Sequence, residues 1–247
     1  MIKLTLPEKP VELTEEKERE LIETYKATGK AVWKQSYISR PLLAMSNDKC
    51  AYSEQKVNSQ SAYLEIEHFR HKSQYPDLVV SWGNLLPSCK KCNDTKGTWD
   101  VLAEPIVNPL EDQPAEHLYV RAFRFYKKDN KGQNTIDAVA LNDRKHFVEP
   151  RASIGFGIAD MIETYYVAIQ GADTDRKKKF WINKIKDTLN ECGPSNVYSA
   201  VVSTYILYEF ETYRLLKGFL VSKGLWDDEL EEIEACLKSI ALPPPQQ

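Results

Sequence analysis

The arrangement of hydrophobic and polar positions predicts helices in the first part of the chain. Thr14 precedes a run of acidic residues, which is typical of a helix N-terminus. The apolar positions Leu21 and Tyr25 continue this helix, and Gly29 ends it. A second helix is predicted over residues 30–45, where apolar side chains suited to a core recur.

The last part of the chain, from about residue 144, has the 3.6-residue periodicity of a helical lobe. One of its apolar stripes includes Ile158 and Ile162. A long helix is predicted over residues 201–219, and its first half is apolar nearly all round, which favours a buried position. A final helix is predicted over residues 227–240.

Residues 48–98 differ from both ends, because cysteine, asparagine, glycine and proline become frequent and long helical periodicity disappears. A short β-hairpin is predicted over about 50–70, with apolar and acidic side chains on alternate faces at 64–67. A short helix is predicted over 81–86, and another begins around Cys92. This part of the chain is expected to be a compact, loop-rich module.

A strand is predicted over residues 117–126, and 129–132 is expected to be a turn. Thr135 is predicted to cap a short helix that ends near Asn142.

The expected fold is therefore α+β and mainly helical. Its three predicted parts are an N-terminal helical segment (1–46), a central core with the following hairpin (47–145) and a C-terminal helical lobe (146–247) that could dock a partner.

Composition narrows the class of protein. The chain has 247 residues, 42% of them hydrophobic, and a net charge of -3, so it lacks the overall basic excess of a free-standing nucleic-acid binder. Its five cysteines are too few and odd in number for a secreted disulfide framework. The N-terminus lacks the apolar core of a signal peptide, and the longest apolar run, 197–208, is shorter than the ~20 residues of a membrane helix. A soluble cytoplasmic protein without a membrane partner is expected.

The candidate chemistry lies between residues 65 and 97. Glu67 and His68 offer a carboxylate and an imidazole, and Asn93 offers a neutral amide oxygen that suits Mg²⁺ or Mn²⁺. Asn84 is placed to bridge backbone groups and hold the loop that follows His68. Lys96, three residues after Asn93 on a helix, is expected to reach a phosphate oxygen. These residue types predict a metal-dependent phosphodiesterase, in which an imidazole activates water and a divalent cation stabilises the developing charge.

These motifs resemble those of HNH nucleases. The matching residues are Cys50, Ile66–Arg70, Lys72–Ser73, Asn84–Leu86, Cys89–Asn93 and Lys96–Gly97. The resemblance implies a ββα-metal core that holds one Mg²⁺ or Mn²⁺ ion. By position, it implies that Glu67 and Asn93 are metal ligands, that His68 is the general base and that Asn84 orders the intervening loop.

The flanking sequence, from about residue 15 to 170, resembles more narrowly the HNH subunit of Septu-type and retron-linked anti-phage systems, the PtuB family. Trp82-Gly-Asn84-Leu-Leu, Asn108-Pro109 and His117-Leu118 contribute to this likeness. The resemblance implies a role in phage defence, cleavage of DNA and a partner, a PtuA-like ABC-class ATPase subunit. None of these follows from composition or spacing.

The chain departs from the family pattern at two positions. Ser53 stands where a fourth cysteine is usual, so a structural Zn²⁺ would be held by Cys50, Cys89, Cys92 and another donor, or would be absent. His71 stands where proline is usual; an exposed loop residue is the favoured interpretation, and an additional phosphate contact is the alternative. The missing cysteine keeps open a non-catalytic zinc-knuckle-like nucleic-acid-binding or adaptor module, and the same site chemistry would serve an HNH ribonuclease.

Overall fold

The computed structural model describes residues 1–57 and 64–245. The described chain is mainly helical and has two small two-stranded sheets, which confirms the α+β class. The helices are α1 (Glu15–Thr28), α2 (Ser36–Met45), α3 (Lys90–Lys96), α4 (Pro114–His117), α5 (Asn130–Ala138), α6 (Glu149–Gln170), α7 (Asp175–Asn190), α8 (Ser199–Thr204), α9 (Glu211–Ser222) and α10 (Asp228–Ile240). The strands are β1 (Leu64–His68), β2 (Leu85–Cys89), β3 (Leu118–Arg121) and β4 (Arg124–Lys127).

Contacts divide the chain into two compact units. The first comprises Met1–His117 and Lys127–Leu141, and the second comprises Leu118–Tyr126 and Asn142–Gln247. All the predicted site residues belong to the first unit. The division of the chain into the three parts expected from the sequence stays a prediction.

The first unit begins with helices α1 and α2. As predicted, the Thr14 hydroxyl accepts a hydrogen bond from the Lys17 amide, and Gly29 ends α1 in the left-handed conformation with φ 68°. The prediction that the second helix begins at residue 30 was wrong, because α2 begins at Ser36. The chain turns before α2, and the adjacent side chains of Val32 and Trp33 are both buried there.

Strands β1 and β2 pair antiparallel, with Leu64 opposite Cys89 and His68 opposite Leu85. The hairpin predicted over 50–70 was therefore wrong in its pairing, and its residues 58–63 lie outside the described chain. The short helix predicted over 81–86 is present only as a single turn, and its predicted end over 85–86 was wrong. A 3₁₀ turn at Trp82–Asn84 leads into β2, which is buried along its whole length, and a short apolar run fits a buried strand as well as a helix.

Helix α3 follows β2 without a loop and begins at Lys90, two residues before the predicted start. In front of β1, Lys49 and Lys56 form an isolated antiparallel bridge around a tight turn that carries Cys50 and Ser53. The Ala51 amide donates to the Pro87 carbonyl, which fixes this turn against β2. The turn before β1, the end of β2 and the first part of α3 thus bring Cys50, Cys89 and Cys92 together.

Residues 129–138 differ from the prediction. Asp129 caps α5 by accepting from the Gly132 amide, so the expected turn is the first part of a helix. Thr135 is not a cap, because it lies inside α5, where its buried hydroxyl accepts from the Val107 amide. The aspartate is the stronger capping signal, since the Thr135 hydroxyl is already engaged with the preceding segment.

The second unit contains the β3–β4 hairpin and the C-terminal helices. The single strand predicted over 117–126 was wrong, since Ala122 and Phe123 both have positive φ and turn the chain, as a two-residue hairpin loop requires. The long helix predicted over 201–219 was also wrong. A π-helical turn at Tyr205–Glu209 and an extended Phe210 separate α8 from α9. The apolar faces of α6, α7, α9 and α10 form one buried core.

Candidate functional site

Three of the predicted site residues, Glu67, His68 and Asn93, line one cleft of about 320 Å³ at the end of β1. Strand β1, the loop after it and α3 all contribute to its walls. The lining residues are Glu67, His68, His71, Lys72, Ser73, Asn93, Asp94, Gly97 and Thr98. The cleft therefore brings together the predicted metal ligands and the predicted base, whereas Asn84 and Lys96 do not line it.

The His68 ring is buried and held on two sides. Its Nε2 lies 2.9 Å from the Val79 carbonyl oxygen, and the ring meets Trp33 edge-to-face with centroids 4.7 Å apart. A carbonyl only accepts hydrogen bonds, so Nε2 carries the proton and Nδ1 has the free lone pair of the neutral ring. Burial lowers the pKa of His68 to about 4. The imidazole is therefore neutral near pH 7 and able to take a proton on Nδ1.

Glu67 is buried and its carboxylate is held by two side chains. Lys96 Nζ lies 2.6 Å from Oε1, and the Tyr52 hydroxyl donates to the same oxygen over 3.3 Å. Burial raises the pKa of Glu67, and the ammonium and the hydroxyl oppose that rise. Both side chains therefore contact the same carboxylate oxygen, Oε1, rather than Oε2.

Lys96 does not occupy the position expected from the sequence. Its side chain is fully buried, and its Nζ also donates to the His68 carbonyl over 3.0 Å. The reason is helical spacing, since Lys96 follows the buried Cys92 by four residues and shares its face of α3. The ammonium is bound to Glu67 and His68 rather than placed at a phosphate.

Asn84 forms hydrogen bonds to the loop that follows His68. Its side-chain oxygen accepts from the Arg70 amide over 2.8 Å, and its side-chain nitrogen donates to the carbonyls of Arg70 and Leu78 over 3.1 Å. These bonds connect both ends of the loop between β1 and β2. Asn84 therefore sets the loop's shape without lining the cleft.

Asn93 is half-buried on α3 and lines the cleft. It directly follows Cys92, and the two side chains face different surroundings, because Cys92 is fully buried. The donors that the cleft offers to a cation include the Glu67 carboxylate and the Asn93 amide oxygen, the kind that Mg²⁺ and Mn²⁺ prefer.

A second cluster consists of three buried thiols. The Sγ atoms of Cys50, Cys89 and Cys92 all lie within 4.8 Å of one another and could hold a metal ion. Sulfurs around a tetrahedral zinc ion, at a Zn–S distance of about 2.3 Å, lie about 3.8 Å apart, so a small contraction would suffice. The Ser53 hydroxyl lies 3.7 Å from Cys89 Sγ, beside the cluster.

Protonation of the thiols is uneven. Burial opposes the charged form of Cys50, but hydrogen bonds from the other two thiols outweigh it and bring the pKa of Cys50 well below its ordinary value. The bond to Cys50 raises the pKa of Cys89 to about 12, and burial raises the pKa of Cys92. Cys50 is therefore the thiol of this cluster that ionises most readily.

Sequence reasoning missed the positions or roles of four residues at the site. Trp33 carried only a core signal, although it contacts His68. Tyr52 could have been noticed from its place inside the cysteine turn. Lys72 lines the cleft and was matched without a role, and His71, expected to be exposed, is half-buried in the cleft wall and bonded to Ser73 and Gln74.

Comparisons with known proteins give two curated relatives. The chain is 38% identical to the Septu protein PtuB of Bacillus thuringiensis over 240 residues, which cover 94% of this chain and 92% of that protein. It is 32% identical to the Septu protein PtuB of Bacillus mycoides (strain KBAB4) over 155 residues, about half of each chain. No family model and no solved structure matches the chain.

In the part of the chain that the structure describes, no helix combines the length and apolar character needed to cross a membrane.

Proposed function

Because the chain belongs to the family of the Septu protein PtuB, we propose that it is a metal-dependent HNH endonuclease of an anti-phage defence system, which hydrolyses phosphodiester bonds of DNA. The observation that carries this proposal is the joint presence of Glu67, His68 and Asn93 in the walls of one cleft. Antiparallel β1 and β2 followed directly by α3 support a ββα-metal core.

Glu67 and Asn93 are the proposed ligands of one Mg²⁺ or Mn²⁺ ion. When bound, this ion would supply a Lewis acid for the negative charge that develops on the phosphate. Lys96 and Tyr52 hold the Glu67 carboxylate through Oε1. Both therefore act as positioning residues, and Lys96 also keeps the buried carboxylate in its charged, ligating form.

His68 is the proposed general base. The Val79 carbonyl fixes the tautomer, so Nδ1 accepts a proton from the attacking water. The water oxygen forms a bond to phosphorus, and the bond from phosphorus to the leaving sugar oxygen breaks. Asn84 contributes indirectly, because it fixes the loop that carries Val79 opposite the imidazole ring.

We also propose that a second protein supplies much of the DNA affinity. The chain carries a net charge of -3, and nonspecific DNA binding depends on cations that neutralise phosphates. The relatives' name, Septu protein PtuB, supports a role within a multi-component Septu system, and an ABC-class ATPase subunit is the proposed partner. The C-terminal helical lobe is the proposed place for that partner.

The test is cleavage of supercoiled plasmid by the purified chain, alone and with any ATPase that co-purifies with it. We expect nicked or linear DNA with Mn²⁺ or Mg²⁺ and none after EDTA, because the proposed mechanism needs the cation. Structured RNA is the parallel substrate. Cleavage that persists in EDTA would contradict a metal-dependent nuclease, absence of cleavage in both preparations would favour the adaptor alternative, and cleavage of RNA alone would favour a ribonuclease.

The cysteine cluster is proposed to bind a structural Zn²⁺ through Cys50, Cys89 and Cys92, with a fourth donor that is not a thiolate. Structural zinc sites are almost always four-coordinate, and a serine hydroxyl is a weak ligand, so this site is expected to be weaker than a four-cysteine site. Ser53 lies beside Cys89 and is the natural position for an added thiolate.

We therefore expect Ser53→Cys to bind zinc more tightly and to raise the melting temperature in the presence of zinc. Cys89→Ser should bind less zinc and melt earlier, because it removes one of three thiolates. Metal content after dialysis against a graded series of chelator concentrations measures the first effect, and thermal melting measures the second. Equal zinc retention in wild type and Cys89→Ser would show that the thiols do not form the site.

A further inference from the structure

A cationic side chain at the cleft would add a charge-assisted contact to a bound phosphodiester. Lys96, the side chain expected from the sequence to make this contact, is engaged elsewhere. Lys96 is buried against Glu67, so its charge balances a carboxylate. Among the described residues that line the cleft, Lys72 is the only lysine or arginine. Any permanent positive charge that the described cleft wall offers to a phosphate therefore comes from Lys72.

Lys72 is free to make this contact. Its Nζ lies 5.1 Å from the centroid of the Trp33 ring, a cation–π distance. Within the described chain, no carboxylate lies within ion-pairing distance of this ammonium. An aromatic face holds the side chain in place but leaves its N–H donors available, since it does not neutralise the charge.

Trp33 is a rigid support for this lysine. The indole is 8% exposed and belongs to the core cluster that also contains Ile38 and Leu42. The same ring contacts His68 with centroids 4.7 Å apart. One buried aromatic side chain from the segment before α2 thus fixes both the proposed base and the ammonium at the cleft.

We propose that Lys72, carried on the ring of Trp33, is the phosphate-binding cation of the cleft, and that Trp33 is the residue that positions it. This inference rests on the proposed nuclease function and names a contact to the DNA backbone for it. Because a phosphate contact carries no sequence information, Lys72 would contribute affinity and orientation regardless of the DNA sequence.

The first experiment measures binding of a short labelled duplex DNA in EDTA, by fluorescence anisotropy over a range of salt concentrations. Lys72→Ala is expected to weaken binding by at least about tenfold, as loss of a charge-assisted hydrogen bond does. It should also reduce the slope of log Kd against log salt concentration by about one. Lys72→Arg should stay close to wild type, because arginine keeps the charge and stacks on indole.

Lys34→Ala is the matched control, since Lys34 is an exposed lysine next to Trp33 and does not line the cleft. Its Kd and salt slope should equal those of the wild type. A Lys72→Ala protein with an unchanged Kd and slope would overturn the inference. Equal losses in Lys72→Ala and Lys34→Ala would also overturn it, because the effect would then be one of net charge.

The second experiment separates positioning by Trp33 from a structural role. Trp33→Phe keeps an aromatic face, whereas Trp33→Leu keeps an apolar side chain without one. In folded variants, verified by circular dichroism, Trp33→Leu should have a raised KM for plasmid cleavage. Trp33→Phe should have a KM close to that of the wild type. Equal KM values for both variants would overturn the role of the ring. DNA binding in EDTA can depend on Lys72 even if the protein cleaves no DNA. Failure of the nuclease proposal is therefore distinguishable from failure of the Lys72 inference.

Discussion

His68→Ala should abolish DNA cleavage while the protein stays folded. In the proposed mechanism the ring supplies the proton acceptor, and general-base catalysis contributes about 10²–10⁴-fold to such rates. The loss is specific, because Glu67, Asn93 and the loop held by Asn84 do not depend on the imidazole for their own contacts. Initial rates of plasmid nicking at saturating Mn²⁺ measure the effect.

The fold should survive this change, although at some cost. Removing a buried ring that touches Trp33 leaves a small cavity and is expected to lower the free energy of unfolding by about 1–3 kcal/mol. Circular dichroism and thermal melting check this point. A folded His68→Ala protein that cuts at the wild-type rate would show that another group activates the water.

The same base predicts an unusual pH dependence. A catalytic base must be unprotonated, and burial lowers the pKa of His68 from 6.5 to about 4. Cleavage should therefore lose the contribution of this group only as the pH falls through about 4, and not through 6.5. A divalent cation bound nearby would lower the pKa of His68 further, so the direction of the pKa shift would stay the same. Rates from pH 5 to pH 7 that are flat after correction for metal occupancy would agree with this expectation.

The second large effect is expected at the buried ion pair of Glu67 and Lys96. Glu67→Gln should eliminate metal-dependent cleavage, because the charged ligand is lost. It should also lower the free energy of unfolding by about 3–5 kcal/mol, since the Lys96 ammonium is left buried without its carboxylate. Urea unfolding measures the stability, and isothermal titration with Mn²⁺ measures the site.

A double variant separates these two consequences. Glu67→Gln combined with Lys96→Met removes both charges and should recover most of the lost stability, because no unpaired charge remains in the interior. Cleavage should remain absent, since the ligand is still missing. A stable double variant that cuts DNA at the wild-type rate would rule out Glu67 as a necessary ligand.

The sequence predicted the class of fold and much of the local site, and the reasons are physical. Amphipathic periodicity identified the helical character of the N-terminal and C-terminal parts of the chain, because it depends only on neighbouring residues. It did not identify β2, whose pairing with β1 is set by residues some twenty positions away. It also missed the break in the helix at Phe210, because the apolar pattern continues through this position and gives no sign of an interruption.

Within the site, motif spacing was enough to place Glu67, His68 and Asn93 around one cleft. Motif spacing did not predict the position of the Lys96 side chain. That side chain lies on the same face of α3 as Cys92, and the burial of Cys92 turns this face towards the interior. Trp33 and Tyr52 come from segments outside the matched core of the motif, so only tertiary packing shows what they touch.

The alternation of a β-strand gives neighbours Glu67 and His68 separate supports. Lys96 and Tyr52 hold the acid, whereas Trp33 and the Val79 carbonyl hold the imidazole. The two supports meet at Lys96, because its ammonium also donates to the His68 carbonyl. In the proposed nuclease, replacement of Trp33 should therefore disturb proton abstraction more than ion binding, whereas replacement of Lys96 should disturb both. Evolution can thus tune the speed of such a catalyst through its N-terminal segment, but only at the ring of Trp33 and not at the shared ammonium.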